Sequence, residues 1–195
     1  MKEKEAILLI EEMISKTKED IRDNGFLYYF WGWLVFIAAL LNYTILHFDL
    51  FEFHGLPWMV LMPLGGIVTA IISRKNAKLR VKVKTYVSQS MSVSVTAYAI
   101  SLFIVCFAMP AGEQWKAFYP TIMLIYAIWL YISGGLLKFK PLMWGAALNW
   151  SLALTGYLWA STEVHLLLIA LGVLGGFIIP GYLLKMKANN SVQTA

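Results

Sequence analysis

Charge is what this sequence has least of. Only 14% of its 195 residues are Asp, Glu, Lys or Arg, against roughly 25% in soluble domains. Cysteine is almost missing too. Cys106 stands alone in an apolar run, which excludes an internal disulfide and any cysteine-built metal cluster and reads as a small core residue. No HExxH or HxxxH spacing, no Gly-rich phosphate loop and no nucleophile elbow occurs anywhere. A cleavable signal peptide is not expected either. The leader is long and net acidic, and the apolar run behind it is long enough to span.

What is present is apolar surface. The chain is 59% hydrophobic and 15% aromatic, with a mean hydropathy of +0.67, which identifies a membrane protein. A spanning helix needs about 20 mostly apolar residues. Six stretches qualify, at 26–46, 56–73, 85–109, 118–137, 142–160 and 166–184. The predicted fold is therefore all-α: a bundle of six transmembrane helices in three hairpins. An amphipathic helix at 1–25 precedes it, and a tail at 188–195 follows and is expected to be disordered. Six spans of this composition contain no Asp, Glu, Lys, Arg or His, the groups that usually mark proton relays, ion pathways and catalytic dyads. An enzyme is thus not expected, and no cofactor.

The charges outside the spans sort by side. Fifteen of the 16 basic residues flank the spans on one face, and only Lys116 falls on the other, with Asp49, Glu52, Glu113 and Glu163. Short loops rich in Lys and Arg stay in the cytoplasm. This places both termini in the cytoplasm and the bundle in the inner membrane of a bacterium. The same distribution explains the formal charge of +5 without nucleic acid. Aromatic belts agree: Trp31, Trp33 and Trp144 are predicted near the inner interface, and Trp58, Trp115 and Trp159 near the outer one. Trp129 and Trp150 fall deeper, either packed within the bundle or facing lipid.

The leader carries its own pattern. Ile7, Ile10, Ile14, Thr17 and Ile21 recur at alternating spacings of three and four, which puts them on one helical face. Asn24-Gly25 is a C-cap signal, so a break or kink is expected there. The leader is net acidic, which disfavours anionic lipid headgroups. The segment Arg74, Lys75, Lys78, Arg80, Lys82 and Lys84 is purely basic. Isoleucine face and basic loop together form a predicted docking face, for the protein's own surface, a second protomer, or a partner protein or the membrane surface.

Polar residues inside the spans are patterned as well. In the third span Gln89, Ser92 and Thr96 share one face and Ser90, Ser94 and Ser101 the opposite one, which predicts a central helix packed on both sides. In the fifth, Gly145, Asn149, Ala153, Gly156 and Ala160 form a stripe. In the sixth, Gly172 and Gly176 make a GxxxG pair. Small residues allow close helix approach, with polar side chains bonding across. The functional alternative is a neutral ligand cavity lined by Gln89, Ser92, Thr96 and Asn149. Gly-Gly pairs at 65–66, 134–135 and 175–176 hint at internal repetition of a hairpin. One loop gathers metal-ligand types, with His47, Asp49, Glu52 and His54, but a regular helix cannot converge all four. Phe48, Leu50, Phe51 and Phe53 of the same loop fit the headgroup region better.

The run EEMISKTKEDIRDNGF followed by YYFWGWLVFIAALLNY resembles a group of small bacterial multi-pass membrane proteins with an amphipathic leader and a Trp-Gly-Trp first span. The residues that carry the resemblance are Met13, Ile14, Thr17, Lys18, Gly25, Phe26, Trp31, Gly32 and Trp33. It implies no activity and no site. In size, span number and orientation the chain is also similar to the membrane subunits that capture vitamins for energy-coupling-factor transporters, without a shared residue motif. Two functions are therefore expected in order: interaction at the cytoplasmic face, as a homo-oligomer or with a regulatory partner, and, as the rival, capture or transport of a neutral small molecule.

Overall fold

The computed structural model describes residues 2–50, 52–53, 55–79, 86–111, 115–159 and 161–193. Side chains are described from Gly25 onward, apart from those at 75–79, 86, 111, 115, 188 and 190–193. Among these residues every regular element is helical. In chain order they are α1 Lys2–Phe48, α2 Leu56–Leu79, α3 Tyr86–Ala111, α4 Trp115–Leu136, α5 Lys140–Trp159, α6 Thr162–Val173 and α7 Ile179–Gln193. A π turn, Leu174–Ile178, joins α6 to α7 without a break. Five stretches are long and apolar enough to cross a membrane: Gly25–Phe48, Leu56–Arg74, Val87–Pro110, Lys116–Leu136 and the continuous Thr162–Lys187. This is the signature of a multi-pass membrane protein. α5 is of similar length, but Asn149, three tryptophans and three hydroxyl residues dilute its apolar character.

The α6–π–α7 helix is the centre of the bundle. It packs against α1, α4 and α5, while α2 leans on α1 and α3 on α4. Contacts between helices adjacent in sequence join α1 to α2, α3 to α4, α4 to α5 and α5 to α6. The centre can be crowded because glycines remove side chains where backbones meet. A Cβ added to Gly145 of α5 would lie 2.6 Å from the Cα of Gly176. On the other flank, a Cβ on Gly25 of α1 would lie 2.9 Å from the Lys185 nitrogen, and one on Gly181 2.7 Å from the Tyr29 nitrogen. Aromatic rings fill the level between these contacts. Trp129 of α4 stacks on both Tyr28 of α1 and Tyr98 of α3, and Tyr126 meets Phe177 edge-on at 5.2 Å.

The π turn has a local cause. Pro180 lacks an N–H and its ring would collide with the carbonyl four residues back, at Gly176. Widening the preceding turn avoids the collision, and Ile179 instead donates its N–H to the Leu174 carbonyl. Pro180 is fully buried. A different device ends α4. Lys138 adopts φ 50°, Phe139 N–H bonds back to Gly134 O and Lys138 N–H to Gly135 O, the paired bonds that close a helix C-terminus, and Phe139 is buried beneath them.

Four expectations are corrected here. No break occurs at Asn24-Gly25: α1 runs straight through it. Gly25 is needed for its close approach to α7, not as a cap. The third span is not central: α3 lies at the edge against α4. Its hydroxyls do not require a second neighbour, because Thr96 donates to the Ser92 carbonyl and Ser101 to the Ala97 carbonyl of their own helix. Finally, the last spanning helix begins at Thr162, earlier than the apolar run, so it includes Glu163 and His165. Trp31, expected in the interfacial belt, turns inward and donates to Thr69 Oγ1 of α2 at 3.1 Å. Trp129 is buried, whereas Trp150 is partly exposed against Tyr131.

Glycine substitutions separate the packed from the free positions. Gly145→Ala is expected to cost about 1–3 kcal/mol through overpacking against backbone, seen as a lower Tm in detergent. Gly66, with nothing within 4 Å of its Cβ direction, should accept alanine with no loss.

Candidate functional site

The expected ligand cavity is not assembled. Gln89, Ser92 and Thr96 lie on the exposed side of α3, whereas Asn149 is fully buried on α5, and α3 packs on α4, not on α5. Asn149 serves the close crossing instead. Its Nδ2 donates to Gly145 O at 2.9 Å and to Gly172 O of α6 at 3.0 Å. A Cβ on Gly172 would sit 2.6 Å from Asn149 Oδ1, and one on Gly176 2.6 Å from Nδ2. Here the predicted stripe of α5 and the GxxxG pair of α6 meet as one joint. Gly145, Asn149, Ala153 and Gly156 are all buried, and Ala160 lies outside the described residues.

The loop expected to gather His47, Asp49, Glu52 and His54 is opened out. His47 belongs to the last turn of α1, stacks on Tyr43 and pairs with Glu163 at the start of α6, Nδ1 to Oε2 3.7 Å. Both partners are about half exposed, so the pair contributes little to stability. Asp49 turns the chain with φ 49°, Glu52 is exposed, and His54 lies outside the described residues. Among the described residues no three metal-ligating side chains converge. Phe48, Leu50 and Phe53 are exposed, and Phe51 is outside the described residues.

The docking-face residues divide. The backbone at Ile7, Ile10, Ile14 and Ile21 is helical, as are the positions of Arg74, Lys75 and Lys78 at the end of α2. Arg74 is exposed. The other side chains of this set, and Arg80, Lys82 and Lys84 altogether, lie outside the described residues.

What the bundle does bring together is a polar cluster near the end of α1 that carries His47. Asn42 of α1, Tyr119 of α4 and His165 of α6 are all buried. Asn42 Nδ2 donates to the Tyr119 hydroxyl at 3.3 Å. The His165 ring stands 6.1 Å from that of Tyr119, and its Nε2 lies 3.0 Å from the Gly156 carbonyl of α5. Gly156 leaves room for this contact, since a Cβ there would be 3.0 Å from Pro120 Cγ and 3.2 Å from His165 Cδ2. Four helices thus share one polar level within an apolar bundle. The sequence reading missed it because His165 sits four residues into the helix but one residue before the apolar run. A buried histidine at a helix start has no periodic signal of its own. Asn42, the one carboxamide in an uncharged first span, was the available clue.

No family model, curated protein or solved structure matches this chain.

Asn149 and Gln89 make a matched test. Asn149→Leu is expected to lose about 1–3 kcal/mol, because two carbonyls lose a buried donor and the larger side chain meets Gly172. Gln89→Leu on the exposed side of α3 should stay within about 0.5 kcal/mol. Tm values of the two purified variants check the contrast.

Proposed function

We propose that this is a six-span inner-membrane protein, both termini in the cytoplasm, that works by interaction through its cytoplasmic face and performs no catalysis. The observation that supports this reading is the continuity of α1. The helix that packs against α6 and α7 in the bundle is the same helix that carries the leader, with no break between Lys2 and Phe48. At 1.5 Å per residue, the residues before Gly25 continue it by about 35 Å. Gly25 and Gly32 seat α1 against the backbones of Lys185 and Ile178. An arm fixed at its root in this way is held in a defined direction, so a partner that grips the isoleucine face pulls directly on the bundle core. The basic positions from Arg74 to Lys84 begin in the last turns of α2, which packs on α1, and supply a surface of opposite charge to an acidic partner segment. The sixth span in this reading is α5, whose 20 residues reach about 30 Å. The lipid bilayer accounts for the exposed apolar faces of α2 and α3. The resemblance of the first 45 residues to small bacterial membrane proteins with the same leader is in keeping with it.

A chain lacking residues 2–22 should still insert and fold, but lose co-purifying partners or shrink in oligomer size, measured by affinity capture and by mass in detergent. If neither changes, the reading is wrong.

The rival, capture of a neutral small molecule, is favoured by a different observation: the buried cluster of Asn42, Tyr119 and His165. It moves the candidate ligand site from the face of α3 to the level of α6 near His165.

A further inference from the structure

Three buried polar atoms among the described residues call for an explanation: the Tyr28 hydroxyl, Asn149 Oδ1 and His165 Nδ1. The Tyr28 hydroxyl has Ser133 beside it. The Asn149 carboxamide already spends both its protons on carbonyls, and its oxygen lies against the glycine seam. His165 is different, because its neighbours settle its tautomer. The Gly156 carbonyl can only accept, so Nε2 must carry the proton that bonds to it. In the neutral ring Nδ1 is then a lone pair with no donor among the described residues, on a side chain only 1% exposed. Buried acceptors of this kind are normally satisfied by protein or by an ordered hydroxyl.

The neighbouring ring offers the complement. The Tyr119 hydroxyl accepts from Asn42 and keeps its own proton to give. The cluster thus presents an acceptor on His165 and a donor on Tyr119, two adjacent rings. A hydroxyl group is the smallest function that answers both. An ion is disfavoured, because Glu163, the acidic residue of the same helix start, is half exposed at the rim, 3.7 Å from His47. A metal ion is disfavoured, because among the described residues no three metal-ligating side chains converge.

We propose that His165 and Tyr119 form a binding site for one neutral hydroxyl group, either a water molecule or the hydroxyl of a small alcohol. It donates to His165 Nδ1 and accepts from the Tyr119 hydroxyl. This site is independent of the cytoplasmic docking reading and survives its failure.

The chain has three histidines, so a His47→Gln/His54→Gln background leaves His165 as the sole nitrogen-labelled imidazole. The protein is placed in lipid nanodiscs and its ¹⁵N spectrum recorded in water and with ethanol added. The expected result is a neutral ring protonated at Nε2, with Nδ1 shifted to the position of a hydrogen-bonded acceptor. A cross-peak from His165 to water protons, insensitive to ethanol, assigns the guest as water. A saturable change with ethanol assigns an alcohol. In either case Tyr119→Phe, which keeps the ring and removes the donor, moves the Nδ1 resonance. Nδ1 at the free-acceptor position in both solvents overturns the proposal. So does a hydrogen-bonded Nδ1 without contact to water or ethanol, since the donor would then be the protein itself.

Discussion

The crossing of α5 over the π turn brings the Gly145 and Gly176 backbones together with no side chain between them, and most of the bundle is arranged around that approach. In lipid the tails are as apolar as leucine, so helices gain little by hiding apolar surface from their surroundings. They associate through close packing and hydrogen bonds. Asn149 adds the second element by donating to carbonyls on both helices. Because α5 can come this close, the α6–π–α7 helix is drawn inward and becomes the element that α1, α4 and α5 share. The same helix then meets α1 at Gly25, Gly32 and Gly181. One central helix with glycine on two flanks is what lets a small bundle pack with so little side-chain bulk.

Pro180 sets a further condition on that helix. A proline in mid-helix usually kinks it. Here the preceding π turn takes up the missing bond, so the chain continues into α7 and stays alongside α1. Lys185 reaches over Tyr29 and Lys187 over Phe139 at the end of this stretch, with distances of 5.3 and 5.6 Å to the ring centres. These cation–π contacts join the α7 end to α1 and to the turn after α4, where the bundle meets the polar interface. The root of the leader is thereby held by backbone contact and by charge.

At the opposite end the bundle admits polarity. Asn42, Tyr119 and His165 come from three helices that the apolar pattern would have left interchangeable. Their level matters for register: sliding α1 along α6 by one turn would strand Asn42 without Tyr119. Buried polar groups of this sort have few arrangements that satisfy them, so they select one packing out of many that leucine would tolerate.

Composition and hydropathy by themselves determined that this chain lives in a membrane as a helical bundle, because about 20 uncharged residues in a row have one low-energy solvent. The stripe Gly145, Asn149, Ala153, Gly156 and the Gly172–Gly176 pair were legible as packing surfaces for the same reason: small residues at helical spacing expose backbone. The third span misled because serine and threonine can satisfy themselves on their own helix, so a polar face need not seek a neighbour. Asn24-Gly25 misled because glycine serves both to end a helix and to let two helices touch, and local sequence does not distinguish the uses. Only the tertiary structure decided that choice, by setting Gly181 opposite. It alone placed His165 inside the bundle, since one residue at a helix start carries no period, and only the fold brings Asn42 and Tyr119 to meet it.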